Sequence, residues 1–186
     1  VEMEYTQRKQ VTQDFLMGWG NVYSSEKPIL VPFIQYLTND SWEEISCLGG
    51  TTGTPLLHSA SYGNSTLYVL TIPDNVIDLY RMPVDVLSKI KETLMPGMPA
   101  LLEAPGYTSL FVYDNNTVIV ESFSDKTQQV KLRLNDGFTK GTDLITNKEI
   151  SGEKRNFYTS FRKPPISRTI LNLELKPHSY QVLKLE

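Results

Sequence analysis

Beyond Pro99 the chain breaks into short runs of β-branched and aromatic residues separated by turn formers. Such runs pack well on a pleated surface and poorly in a helix. They predict strands near 100–104, 108–113, 117–123, 128–134, 142–146, 157–161, 168–175 and 180–185. Leu110-Phe111-Val112-Tyr113 and Thr117-Val118-Ile119-Val120-Glu121 flank Asp114-Asn115-Asn116, a hairpin signal because Asn and Asp tolerate positive φ. Many short strands at this spacing imply a sandwich.

The first 99 residues read differently. Gln7–Gln13 is polar and leads into Phe15-Leu16-Met17-Gly18-Trp19-Gly20, which suggests a helix over roughly 6–17. The run from Pro28 to Leu37 has strand composition, but Pro28 and Pro32 confine it to an edge or an irregular segment. Asn39-Asp40-Ser41 supplies turn or capping side chains ahead of Trp42, and Gly49–Pro55 reads as a loop. Tyr62–Asn75 reads as a turn, a buried strand and a Pro73-Asp74 exit, in the manner of the closing strand of an α/β layer. Pro83 then suits a first helical turn, with Leu87, Ile90 and Leu94 on one face and Asp85 four residues before Lys89 on the other. Met95-Pro96-Gly97-Met98-Pro99 ends that helix. The expected class is α+β: a mixed α/β portion over 1–99 packed on an antiparallel β-sandwich over 100–186.

Composition narrows the partners. A formal charge of −3, 21% charged residues and a pI near 5.5 describe a globular chain with no phosphate-binding footprint, so nucleic acid is not an expected partner. Cys47 is the single cysteine, which excludes an intramolecular disulfide, and the two histidines, His58 and His178, leave no zinc spacing. Neither a metal nor a cofactor is expected. Leu67–Ile72 is too short to span a membrane, and Val1–Tyr5 lacks the basic and apolar regions of a signal peptide.

Ser61-Tyr62-Gly63-Asn64-Ser65-Thr66-Leu67-Tyr68-Val69-Leu70, its Pro73-Asp74-Asn75 exit, the helix from Pro83 and the closing Leu173–Leu183 segment resemble the carboxy-terminal part of large glycoside-hydrolase-like proteins. In the β-galactosidase type, a catalytic barrel is followed by a glutamine-amidotransferase-like domain and a small antiparallel β domain. The resemblance covers roughly residues 55–186. It implies a degenerate amidotransferase-like layer within 1–99, a small β domain over 100–186, and an extracellular or periplasmic location. It implies further that the chain is a non-catalytic structural or assembly portion whose partner is the catalytic domain of a larger parent protein, or a second copy in a homo-oligomer. No catalytic residue of the barrel has a counterpart in this chain, and fold analogy carries no activity across.

The residues themselves bear on three kinds of chemistry. A glutaminase needs a nucleophilic cysteine on a sharp strand-to-helix turn with a histidine base oriented by an acid. Cys47 lies in Ile45-Ser46-Cys47-Leu48-Gly49, which lacks the preceding glycine, and neither His58 nor His178 has an acid close in sequence. Glycoside hydrolysis would need two facing carboxylates drawn from Glu43, Glu44, Glu103, Asp114, Glu121 and Asp125, and calcium could use Asp114, Asn115 and Asn116. A solvated acid and a hairpin turn explain the same residues. Sugar binding would use exposed aromatic rings, with polysaccharide as the partner. The candidates are Tyr107, Tyr113, Phe157, Tyr158 and Phe161, while Trp19 and Trp42 add further rings. An assembly role instead predicts an apolar docking patch around Phe33, Tyr36 and Trp42.

Overall fold

A computed structural model describes residues 2–18, 20–49, 52–157 and 164–186. The chain divides into two compact units, residues 1–90 and 91–186. Every described strand pairing is antiparallel.

The first unit is built on one five-stranded sheet of β1 (Met3–Met17), β2 (Asn21–Tyr36), β3 (Ser41–Gly49), β4 (Thr52–Tyr62) and β5 (Ser65–Leu70), in the order β2-β1-β3-β4-β5. A 3-10 turn (Val76–Arg81) and the helix α1 (Val84–Leu94) follow. Phe15, Ile29, Val31, Ile45, Cys47 and Leu57 form the core of the unit together with Met82, Val86 and Ile90. Fully burying one such aliphatic side chain contributes about 1.5–3 kcal/mol relative to leaving it in water.

The expectation of a mixed α/β layer over 1–99 is corrected by this antiparallel sheet. The helix expected over 6–17 is strand β1, with Val11 opposite Leu30, Thr12 opposite Ile29, and Phe15 between Tyr23 and Cys47. A polar run such as Gln7–Gln13 has only a weak intrinsic helix preference, and pairing with β2 overrides it. The expected loop at 49–55 is also shorter than read, because β4 begins at Thr52. The segment after Tyr62 does close the sheet through a turn at Gly63 and Asn64. However, β5 is an edge strand whose residues Ser65–Tyr68 are exposed rather than buried. The prolines of β2 sit where expected, since this strand forms the opposite edge. Pro83 leads directly into α1, whose Val86 and Ile90 are buried, whereas Leu94 is exposed. Lys89 pairs with Glu44 at 3.1 Å rather than with Asp85.

The second unit is an antiparallel β-sandwich. One sheet runs β11 (Lys148–Ser151), β10 (Lys140–Asp143), β14 (Tyr180–Leu185), β8 (Thr117–Ser122) and β7 (Thr108–Val112). The other runs β12 (Glu153–Phe157), β13 (Ile166–Leu175), β9 (Gln128–Leu134) and β6 (Ala100–Glu103). The two-residue period of the sequence is the packing pattern: Val118 and Val120, Val130, Leu132 and Leu134, Leu171, Leu173 and Leu175, and Leu183 and Leu185 meet in one core. The Asp114-Asn115-Asn116 hairpin forms as read, with Asn116 at φ 60° and the Tyr113 N–H donating to the Thr117 carbonyl at 2.9 Å. Strands β11 and β12 are additions to the sequence reading. Lys-Glu-Ile-Ser and Glu-Lys-Arg-Asn-Phe have little strand propensity of their own, and their pairing with β10 and β13 sets their conformation. Of the strand expected at 157–161, Phe157 ends β12 and the rest lies outside the described residues. Among the described residues no helix is long and apolar enough to cross a membrane.

Candidate functional site

Strand parity decides which aromatic residues of the sandwich meet solvent. In β7 and β8 the side chains of Leu110, Val112, Val118 and Val120 pack into or against the core, so the alternate residues face outward. The outward rung runs from Phe111 to Ile119 and on to Val182. Leu144 extends it, its N–H donating to the Val182 carbonyl at 2.8 Å. The adjacent rung carries Ser109, Glu121 and Tyr180. Past the strand ends, the Phe123 N–H donates to the Tyr107 carbonyl at 2.8 Å, and Tyr113 opens the hairpin turn at the other end of β7. Tyr107, Phe111, Tyr113, Phe123 and Tyr180 are 45–56% exposed. A folded chain rarely leaves this much aromatic surface in one region without a use for it.

Two of the five aromatics expected to bind sugar, Tyr107 and Tyr113, belong to this region. Phe157 does not: it is half-buried beneath the Arg133 guanidinium, which lies 4.8 Å from the ring centroid. Arg133 also meets Glu92 at 3.0 Å and Glu103 at 3.6 Å, so that ring is covered by a cation held in place. Tyr158 and Phe161 lie outside the described residues, as does Trp19. Phe111, Phe123 and Tyr180 were not among the expected residues, although the alternation of apolar residues along β7 and β8 carries the signal for Phe111. In the first unit, Trp42 is exposed on β3, whereas Phe33 and Tyr36 are half-buried.

The titratable candidates are arranged quite differently. Cys47 is buried within β3, and that burial pushes its thiol up to about 12, so it is held as a poor nucleophile. It sits opposite Phe15 and Thr54 in the sheet, not on a strand-to-helix turn. His58 is only 5% exposed, and neither ring nitrogen has a hydrogen-bond partner. Burial holds His58 below its usual pKa, against the opposing pull of Glu43, Asp40 and Glu44. Glu44 accepts from Ser59 Oγ at 2.9 Å, and Glu43 accepts from Ser46. His178 has no acid close in sequence but gains one in space, its Nε2 lying 2.7 Å from Asp125 Oδ1 on an exposed surface. Among the described residues no group of three or more His, Cys, Asp or Glu side chains is placed to hold a metal ion.

Residues 99–185 match the family described as the probable glycosyl hydrolase, C-terminal domain. The match spans most of the sandwich, which is thus similar to a glycosyl hydrolase C-terminal domain. No curated protein and no solved structure matches the chain.

Proposed function

We propose that this chain is a non-catalytic accessory region of a larger carbohydrate-active protein, and that the outer face of β7, β8 and β14 is where the catalytic domain of that protein docks. The carrying observation is the apolar rung of Phe111, Ile119, Val182 and Leu144 beside exposed Tyr180. Apolar surface at the centre of an interface, rimmed by aromatic and polar groups, is the usual anatomy of a protein contact. The match over residues 99–185 supports a carbohydrate-active parent, and the β-galactosidase type is the one the sequence resembles. The amidotransferase-like layer finds no support in the antiparallel sheet of the first unit and is not part of this reading.

Polysaccharide binding on the same face is the second reading. It is favoured by Tyr107, Tyr113 and Tyr180, which combine an exposed ring with a hydroxyl able to bond to sugar. Co-purification of the chain with the catalytic domain of its parent separates the two. A stable complex is expected, weakened at least tenfold by the double substitution Phe111→Asp and Tyr180→Asp. No complex, or one indifferent to both substitutions, would overturn the docking reading. Retardation of the wild-type chain in polysaccharide-containing gels would then favour the second.

A further inference from the structure

The second unit contains a cleft of about 290 Å³ at the open flank of the sandwich, on the inward side of β14, whose Tyr180 and Val182 face outward. Strand β12 pairs with β13 only over Ile166–Ile170, while β13 continues to Leu175. From Leu171 onward, one edge of β13 is therefore not covered by β12. The Gln181 side chain lies at this edge, its Nε2 donating to the Glu174 carbonyl at 3.1 Å. In a strand, the N–H and C=O of one residue point the same way and alternate residues share that direction. The backbone polar groups of Asn172 and Glu174 consequently face the cleft together.

The remaining lining defines what the cleft can hold. Ile150 and Leu173 supply apolar surface, and Asp143, Lys148, Glu149 and Gln181 supply polar groups. The Gln181 Oε1 atom is buried and has no hydrogen-bond partner, so it is an acceptor in need of a donor. The carboxylates are already engaged. Asp143 Oδ1 accepts from the N–H of Ile145 at 2.9 Å, Glu149 meets Lys140 at 2.6 Å, and Glu174 accepts from Gln129 Nε2 at 2.7 Å. An anionic ligand would meet the buried Asp143 carboxylate, and the acids do not form a metal-holding group. A neutral polyhydroxylated ring fits better, because each hydroxyl both donates and accepts while the C–H face can lie on Ile150 and Leu173.

We propose that this open-edge cleft binds one or two sugar rings, with Gln181 Oε1 accepting from a sugar hydroxyl and the exposed edge of β13 supplying backbone partners. The choice of sugar as ligand rests on the carbohydrate-active reading above, but the site is separate from the docking face. The test is a titration of the isotopically labelled full chain with a panel of free mono- and disaccharides, followed by amide chemical shifts. Saturable shifts at Asn172, Glu174 and Gln181 are expected for at least one sugar. Gln181→Leu should weaken that binding about tenfold, the loss expected for one good hydrogen bond. Lys148→Ala, at an exposed position, provides a second variant should the first fail to fold, and should also weaken binding. Phe111→Ser should leave it unchanged. Absence of shifts with every sugar, shifts confined to β7 and β8, or binding indifferent to both cleft variants would each overturn the proposal. A chain that forms the complex with its catalytic domain but binds no sugar would keep the accessory reading and lose the cleft.

Discussion

The ring of Tyr36 lies flat on the imidazole of His58, with centroids 3.7 Å apart and planes 8° from parallel. Tyr36 comes from edge strand β2 and His58 from β4, so the stack joins parts of the sheet that are not neighbours in the strand order. The Tyr36 hydroxyl and both imidazole nitrogens are buried without partners. The contact is thus one of ring faces rather than of hydrogen bonds.

That arrangement makes the first unit acid-sensitive. Burial holds the folded-state pKa of His58 below its usual value, which is about 6.5 in an unfolded chain. Between the two values the unfolded chain binds more protons than the folded one, so this contribution to stability is complete above about 6.5 and declines as pH falls below it. The urea midpoint should therefore drop between pH 7.5 and 5.5. His58→Phe, which retains a ring against Tyr36, should flatten the profile. An unchanged pH slope in that variant would show that other groups are responsible.

Cys47 should behave as a core residue. With its thiol pushed up to about 12 by burial, the thiolate fraction at pH 8 is roughly a thousandfold below that of an unfolded cysteine. Alkylation by iodoacetamide should be negligible in the native chain and rapid in urea. Native-state modification at the unfolded rate would contradict the burial.

Gly152 stands at the corner between β11 and β12, where the chain passes from one sheet of the sandwich to the other. A Cβ there would lie 2.0 Å from Thr169 Cγ2 and 2.9 Å from the Thr139 carbonyl oxygen. Gly152→Ala is expected to cost about 1–3 kcal/mol through overpacking. Gly97 makes the contrasting case: its φ of +82° disfavours a side chain, yet nothing lies within 4 Å. Gly97→Ala should cost roughly 1 kcal/mol of backbone strain alone. Equal stability of wild type and Gly152→Ala in urea denaturation would refute the packing account.

Phe111 and Tyr180 should tolerate replacement. Both are about half exposed on the outer sheet face, so Phe111→Ser and Tyr180→Ser are expected to shift stability by no more than about 0.5 kcal/mol. Leu132→Ala, in the fully buried core, should cost about 2–5 kcal/mol. A large loss in the surface variants would mean that the face is covered within the fold and is no docking surface.

The sandwich was readable because its local signals and its tertiary environment agree. Val130, Leu132 and Leu134 alternate with polar neighbours, and Asp114-Asn115-Asn116 suits a tight turn whatever surrounds it. The sheet of the first unit was not readable in the same way. Gln7–Gln13 has no strong conformational preference of its own, and becomes strand because β2 offers a partner for it. The polar sequences of β11 and β12 are in the same position.

The candidate sites divide along the same line. Tyr107 and Tyr113 could be nominated as aromatic residues near turns, but their neighbours could not, because the register joining Phe111 to Ile119 and Val182 is a long-range property. The acid beside His178 is separated from it by 53 residues, and the edge of β13 lined by Gln181 exists only because β12 pairs with a part of its length. Short-range preferences were legible from the residues alone: where turns form, where a helix starts after Pro83, and which strand residues alternate inward. Which segments pair, and at what register, was set by the folded chain as a whole. Pairing energy is shared between distant residues and leaves no mark on either segment alone.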